Sequence, residues 1–133
     1  MPFTSIEDGS ILLSMKDATT LPDVGLVEAS DIVRFIPTST GDTTAGTFAM
    51  VLDGSDVELG DTWEPIDAIG ILPDGRMVIS TQGNFSALGV AAKDEDLVAS
   101  NATQLGPDTM GSWELYFDDN YCMKGDYYHV QAA

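Results

Sequence analysis

The chain repeats itself. Asp8-Gly9-Ser10-Ile11-Leu12-Leu13-Ser14 aligns with Asp74-Gly75-Arg76-Met77-Val78-Ile79-Ser80 at an offset of 66 residues. Further on, Ser30-Asp31-Ile32-Val33 aligns with Glu95-Asp96-Leu97-Val98 at an offset of 65, so one residue is lost in between. The same offset places Thr38 and Gly41 on Thr103 and Gly106, and residues 46–53 (GTFAMVLD) on residues 111–118 (GSWELYFD). An internal repeat constrains architecture before any secondary-structure argument, because both copies must form the same unit and the units must bury their apolar faces on one another. Residues 1–65 make the first copy and 66–118 the second, within one domain. The divergent segment 119–133 does not reproduce the junction at residues 54–67.

Each copy reads as four strands, because short β-rich runs of alternating character are bounded by Gly, Pro, Asp and Thr. The expected strands are 2–6, 10–15, 31–36 and 47–53, then 66–72, 76–81, 96–100 and 112–118. Glu7-Asp8-Gly9 and Pro73-Asp74-Gly75 are short links with Gly where a positive φ is required, and each predicts a tight hairpin. Residues 16–30 and 82–95 read as longer loops. Residues 89–98 could wind one helical turn, but Asp94-Glu95-Asp96 leads more simply into the matched strand. The last strand of each copy alternates Phe48, Met50, Leu52 and Trp113, Leu115, Phe117, so each small sheet has an apolar face that needs cover. The expectation is an all-β chain of two tandem four-stranded antiparallel blade-like repeats. They would form a propeller fragment or an oligomeric propeller, or else pack face to face as a β-sandwich.

The stretch Ile66-Asp67-Ala68-Ile69-Gly70-Ile71-Leu72-Pro73-Asp74-Gly75-Arg76-Met77-Val78-Ile79-Ser80 resembles the first hairpin of propeller blades in secreted bacterial repeat proteins. Asp53-Gly54-Ser55-Asp56-Val57 resembles the junction after the last strand of such a blade. The resemblance covers residues 1–118. It implies a β-repeat scaffold, extracellular or at the cell surface, and carries no catalytic residue across. A closed propeller needs at least four blades, so two blades with open faces and edges predict a homo-oligomer of two to four chains.

Composition narrows the partners. With 133 residues and 44% apolar content the chain can fill one core. Its 22 Asp and Glu against 5 Lys and Arg give a net charge of −17, which repels a phosphate backbone and argues against nucleic acid. No window reaches the roughly 18 apolar residues of a membrane helix, so no membrane insertion is expected, and MPFTSIEDGS lacks a signal-peptide layout. One cysteine, Cys122, and one histidine, His129, give little material for a disulfide, a zinc site or a nucleophile with its base. The acidic excess suits a salty or calcium-containing medium.

Candidate site residues follow from side-chain chemistry. Trp63, in the inter-repeat loop beside acids, and Phe85, in a polar loop, are candidate ligand-binding rings, since exposed rings with polar neighbours suit glycan or peptide sites. Trp113 reads as core, with Phe48 as its counterpart. Asp94 with Asp96, and Asp53 with Asp56, are candidate calcium ligands, because Ca²⁺ takes six to eight oxygens; neither group has EF-hand spacing, and the alternative is that these acids end strands and cap turns. No other cofactor is expected. A carboxylate pair could serve glycoside hydrolysis, but acids that recur in both copies serve the scaffold more naturally than a unique catalytic centre. The sequence reading is therefore a non-catalytic extracellular module binding a glycan or a protein, with a carboxylate-dependent polysaccharide hydrolase as the alternative.

Overall fold

The structure, a computed structural model, describes residues 3–5, 9–59, 65–94 and 96–118. It is all-β. The first repeat runs β1 (Phe3–Ser5), β2 (Ile11–Leu13), β3 (Thr19–Leu21), β4 (Gly25–Val27), β5 (Ile32–Ser39) and β6 (Ala45–Leu52). The second runs β7 (Ile66–Ile71), β8 (Met77–Thr81), β9 (Phe85–Ala87), β10 (Val90–Ala92), β11 (Leu97–Gln104) and β12 (Met110–Phe117). Each repeat is one four-stranded antiparallel sheet, ordered β1-β2-β5-β6 or β7-β8-β11-β12, with a separate two-stranded hairpin, β3-β4 or β9-β10. The segments 16–30 and 82–95, expected as loops, therefore each contain a hairpin. It places the missing residue: Leu21 and Gly25 are joined by three residues, whereas Ala87 and Val90 are joined by two, Leu88 and Gly89, both with positive φ as a tight two-residue turn requires.

Register agrees between the copies in detail. Val33 pairs with Met50 and Val98 with Leu115, while Leu12 pairs with Arg34 and Val78 with Ala99. Matching irregularities fall at Ile32/Val33 and Pro37/Ser39 in one sheet and at Leu97/Val98 and Ala102/Gln104 in the other, and the second sheet has a further one at Ile66/Ala68. The bulge at Val51 explains a break in the alternation: Met50 sits opposite Val33, but Leu52 sits opposite Ile32 and joins it on the other face of the sheet. Gly9 and Gly75 both have positive φ, as the hairpin reading requires.

The two faces of each sheet have different roles. On the first sheet Leu13 and Val33 pack with Val27 of the β3-β4 hairpin, which makes this the hairpin face. The plain face carries Leu12, Ile32 and Leu52. These three share one core with the hairpin face of the second sheet, namely Met77, Ile79, Val98 and Trp113, and with Phe85, Ala87 and Ala92 of the β9-β10 hairpin. The sheets thus stack plain face against hairpin face, head to tail, and not through equivalent faces. Burying each such large side chain contributes about 1.5–3 kcal/mol.

The junction locks the stack. Gly54–Val57 form a 3₁₀ turn whose Val57 is buried in the shared core together with Leu59. Leu59 N–H donates to Gly54 O at 2.7 Å, Ile66 N–H to Ala29 O at 3.1 Å, and Ser14 Oγ to Ile66 O at 3.2 Å. Trp113, buried against Phe85 with ring centroids 5.3 Å apart, donates Nε1–H to Val57 O at 3.1 Å. Trp113 is thus the core residue its position implied. Its counterpart Phe48 stacks on Phe35 and keeps partial exposure.

Candidate functional site

The repeated carboxylates are held by the backbone. Asp31 Oδ2 accepts Glu28 N–H at 2.8 Å and Oδ1 accepts Gly54 N–H at 2.9 Å, while the Asp31 N–H returns to Glu28 O at 3.0 Å. Asp96 repeats the arrangement with Lys93: Oδ2 accepts Lys93 N–H at 2.9 Å, and the Asp96 N–H donates to Lys93 O at 3.0 Å. Both side chains are buried, and their task is to close the turn before the third sheet strand. Burial raises the Asp31 pKa above the ordinary carboxylate value against those two donors, with Asp53 and Glu28 adding like charge.

The other proposed calcium ligands are similarly engaged. Asp56 Oδ2 accepts Thr109 N–H at 2.9 Å, and Asp53 Oδ1 accepts Ser55 Oγ–H at 2.8 Å. Asp94 is exposed. Among the described residues, no group of three or more His, Cys, Asp or Glu converges to hold a metal ion. Trp63, Cys122 and His129 lie outside the described residues.

Asp53 and Asp56 instead belong to an inter-repeat latch. The loop between β11 and β12 grips the chain leaving β6: Gly106 N–H donates to Val51 O at 2.7 Å, Asp53 N–H to Thr109 Oγ1 at 2.9 Å, and Thr109 Oγ1–H to Gly106 O at 2.7 Å. Sequence reading aligned Gly41 with Gly106 but not Thr44 with Thr109, and the repeat of Gly-x-x-Thr at both places was the available signal.

A cleft of about 440 Å³ opens beside the second hairpin, lined by Asn84, Phe85, Ser86, Lys93, Asp96 and Asp118 among others. Phe85 is not an exposed loop ring: it lies on β9, only 2% exposed, and is among the residues that line the cleft. Leu115, half-exposed on β12, supplies an apolar wall. The cleft thus combines an amide, a hydroxyl, one cation and two carboxylates over an apolar base, a composition suited to a polar, uncharged ligand with an apolar face.

A second polar cluster lies on the second sheet. Arg76 Nη1 donates to Glu114 Oε1 and to Asn101 Oδ1, both at 2.9 Å, and Arg76 Nε to Asp74 Oδ2 at 2.8 Å. The Arg76 backbone and side-chain donors hold the Asp74 pKa below the ordinary carboxylate value, and Asn101 then Arg76 do the same for Glu114.

Compared with family models, curated proteins and solved structures, the chain shows no match. No helix of the described residues is long and apolar enough to cross a membrane.

Proposed function

We propose that this chain is a non-catalytic interaction module built on propeller-type β-repeats, working outside the cell or at its surface, and binding a glycan or protein partner through the cleft beside β9 and β10. The observation that carries this reading is the commitment of the repeated acids Asp31 and Asp96 to backbone N–H groups, which gives them a scaffold role. The cleft chemistry supports a polyhydroxylated ligand: the amide of Asn84 and the ammonium of Lys93 line it together with Phe85 and Leu115. The net charge of −17 supports a salt-containing medium.

One observation favours the alternative, a polysaccharide hydrolase: Asp96 and Asp118 line the same cleft. A glycan array run beside a polysaccharide-hydrolysis screen tests the choice. Binding that is lost in Asn84→Ala and Lys93→Ala without turnover is the expected result. Turnover abolished by Asp118→Asn would replace the module with the hydrolase.

A further inference from the structure

Among the described residues, the hairpin face of the first repeat is a less covered copy of a surface that is buried in the second. Met77, Ala87 and Trp113 are 6%, 2% and 5% exposed, because the plain face of the first sheet lies against them. Their counterparts Ile11, Leu21 and Phe48 are only partly buried, as are Met15, Val24 and Met50 around them. Among the described residues, one contiguous apolar face is therefore left partly exposed at one end of the stack.

The latch recurs there as well. Thr44 Oγ1–H donates to Gly41 O at 2.7 Å, the same bond at the same length as Thr109 to Gly106. Ser39 Oγ–H donates to Thr43 O at 2.7 Å, where the second repeat uses Gln104 Nε2–H and Asp108 O at 2.6 Å. The loop 41–44 is built in the gripping shape but exposed, whereas Thr109 is 3% exposed with Asp53 bound to it.

The other end of the stack offers the matching surface. The plain face of the second sheet carries Val78, Leu97 and Phe117 where the first carries Leu12, Ile32 and Leu52, and Leu97 and Phe117 remain partly exposed while Ile32 and Leu52 are 0% and 1%. Its guanidinium is kept by exchange between neighbouring strands: the first sheet has Ser10 with Arg34, joined by Arg34 Nε–H to Ser10 Oγ at 2.8 Å, and the second has Arg76 with Ala99.

We propose that the hairpin face of the first repeat docks the plain face of the second repeat of another copy of this chain. It continues the head-to-tail stacking that already joins the two repeats. Loop 41–44 then grips the backbone leaving β12 of the second copy. Gly41 N–H donates to the Tyr116 carbonyl, and the Asp118 N–H donates to Thr44 Oγ1, as Gly106 and Thr109 treat Val51 and Asp53. This contact is heterologous, so it closes into a ring or extends as an open stack; of the cleft residues it uses Asp118, through the backbone N–H, and neither Asn84 nor Lys93, on which glycan binding is judged.

The test is sedimentation of the whole chain from about 5 to 300 μM in about 0.5 M NaCl, where a screening length of about 4 Å mutes repulsion between two acidic bodies. Reversible, concentration-dependent association is expected. Thr44→Arg, at an exposed loop position that leaves the core untouched, is expected to weaken it at least about tenfold, the effect of a charge without a partner in a packed contact. In a Cys122→Ser background, Thr44→Cys chains mixed with Asp118→Cys chains should form a disulfide-linked pair under mild oxidation, and Thr44→Cys chains alone should not. A strictly monomeric chain across the range, an association indifferent to Thr44→Arg, or pairing of Thr44→Cys chains with themselves would overturn the proposal.

Discussion

Thr109 and Thr44 occupy the same position in the two repeats, and the difference in their surroundings sets what each hydroxyl is worth. Thr109 Oγ1 donates to Gly106 O at 2.7 Å and accepts Asp53 N–H at 2.9 Å, buried in the seam between repeats. Thr44 keeps only the first of these bonds in its own loop, at 2.7 Å, and is exposed. Thr→Val removes a hydroxyl and replaces it with a methyl of similar size, so neither change opens a cavity. At position 109 two backbone groups lose a partner where water has poor access, and at about 1 kcal/mol for each bond the expected loss is about 2 kcal/mol. At position 44 water replaces the bond, and the change stays within about 0.5 kcal/mol. For a chain of this size about 1 kcal/mol moves Tm by about 3–5 °C, so Thr109→Val should fall by about 6–10 °C while Thr44→Val moves by no more than about 2 °C. Urea and thermal melts followed by tryptophan fluorescence at about 1 μM, where association between copies is negligible by mass action, separate the two. Equal losses, or a larger loss at Thr44, would refute the latch.

Three other outcomes follow from the same geometry. A Cβ at Gly54 would press on the Ser30 carbonyl and lie 2.6 Å from Leu59 O, so Gly54→Ala should cost about 3 kcal/mol, read as a lower urea midpoint at unchanged slope. The raised Asp31 pKa means that its share of stability is fully present below the ordinary carboxylate value and is lost as pH rises through the folded value. Asp31→Asn should therefore remove that part of the stability–pH slope, measured by urea melts between about pH 3.5 and 6.5, and a slope unchanged by the substitution would contradict burial as the cause. A calcium ion at Asp96 would have to compete with Lys93 N–H for Oδ2, so millimolar calcium and NaCl of matched ionic strength should raise Tm equally; a calcium-specific rise lost in Asp96→Asn would establish the ion site.

The repeat was legible because it rests on local chemistry. Gly9 and Gly75 need positive φ, Asp31 and Asp96 close the same turn, and those needs write the same letters at the same spacing. The hairpins β3-β4 and β9-β10 were not, since three-residue strands are too short for a period-2 pattern to register. Ala91 and Ala92 are also weak strand formers. Pro22-Asp23-Val24-Gly25 was the turn signal that could have found the first of them. Phe85 was read as a loop ring for the same reason: with β9 unseen, nothing placed it under Trp113. Nor could the order of stacking be read, because the bulge at Val51 moves Leu52 to the plain face, and only long-range packing reveals which face meets which.

Where the two copies agree, the shared residue holds the fold; where they differ, the difference has a local physical reason. Gly54 lies where a side chain would meet the Ser30 and Leu59 carbonyls, and the position aligned with it in the second copy is Asp119. Phe48 becomes Trp113, and the added indole N–H finds Val57 O in the junction between the repeats. Ser10 becomes Arg76 while Arg34 becomes Ala99, which keeps one guanidinium on the plain face but supplies it from the adjacent strand, where Asp74 and Glu114 can pair with it. The sequence of a single repeat thus encodes a sheet and the face by which it stacks on its neighbour, and the proposed docking of another copy extends that same pairing to the faces at the two ends.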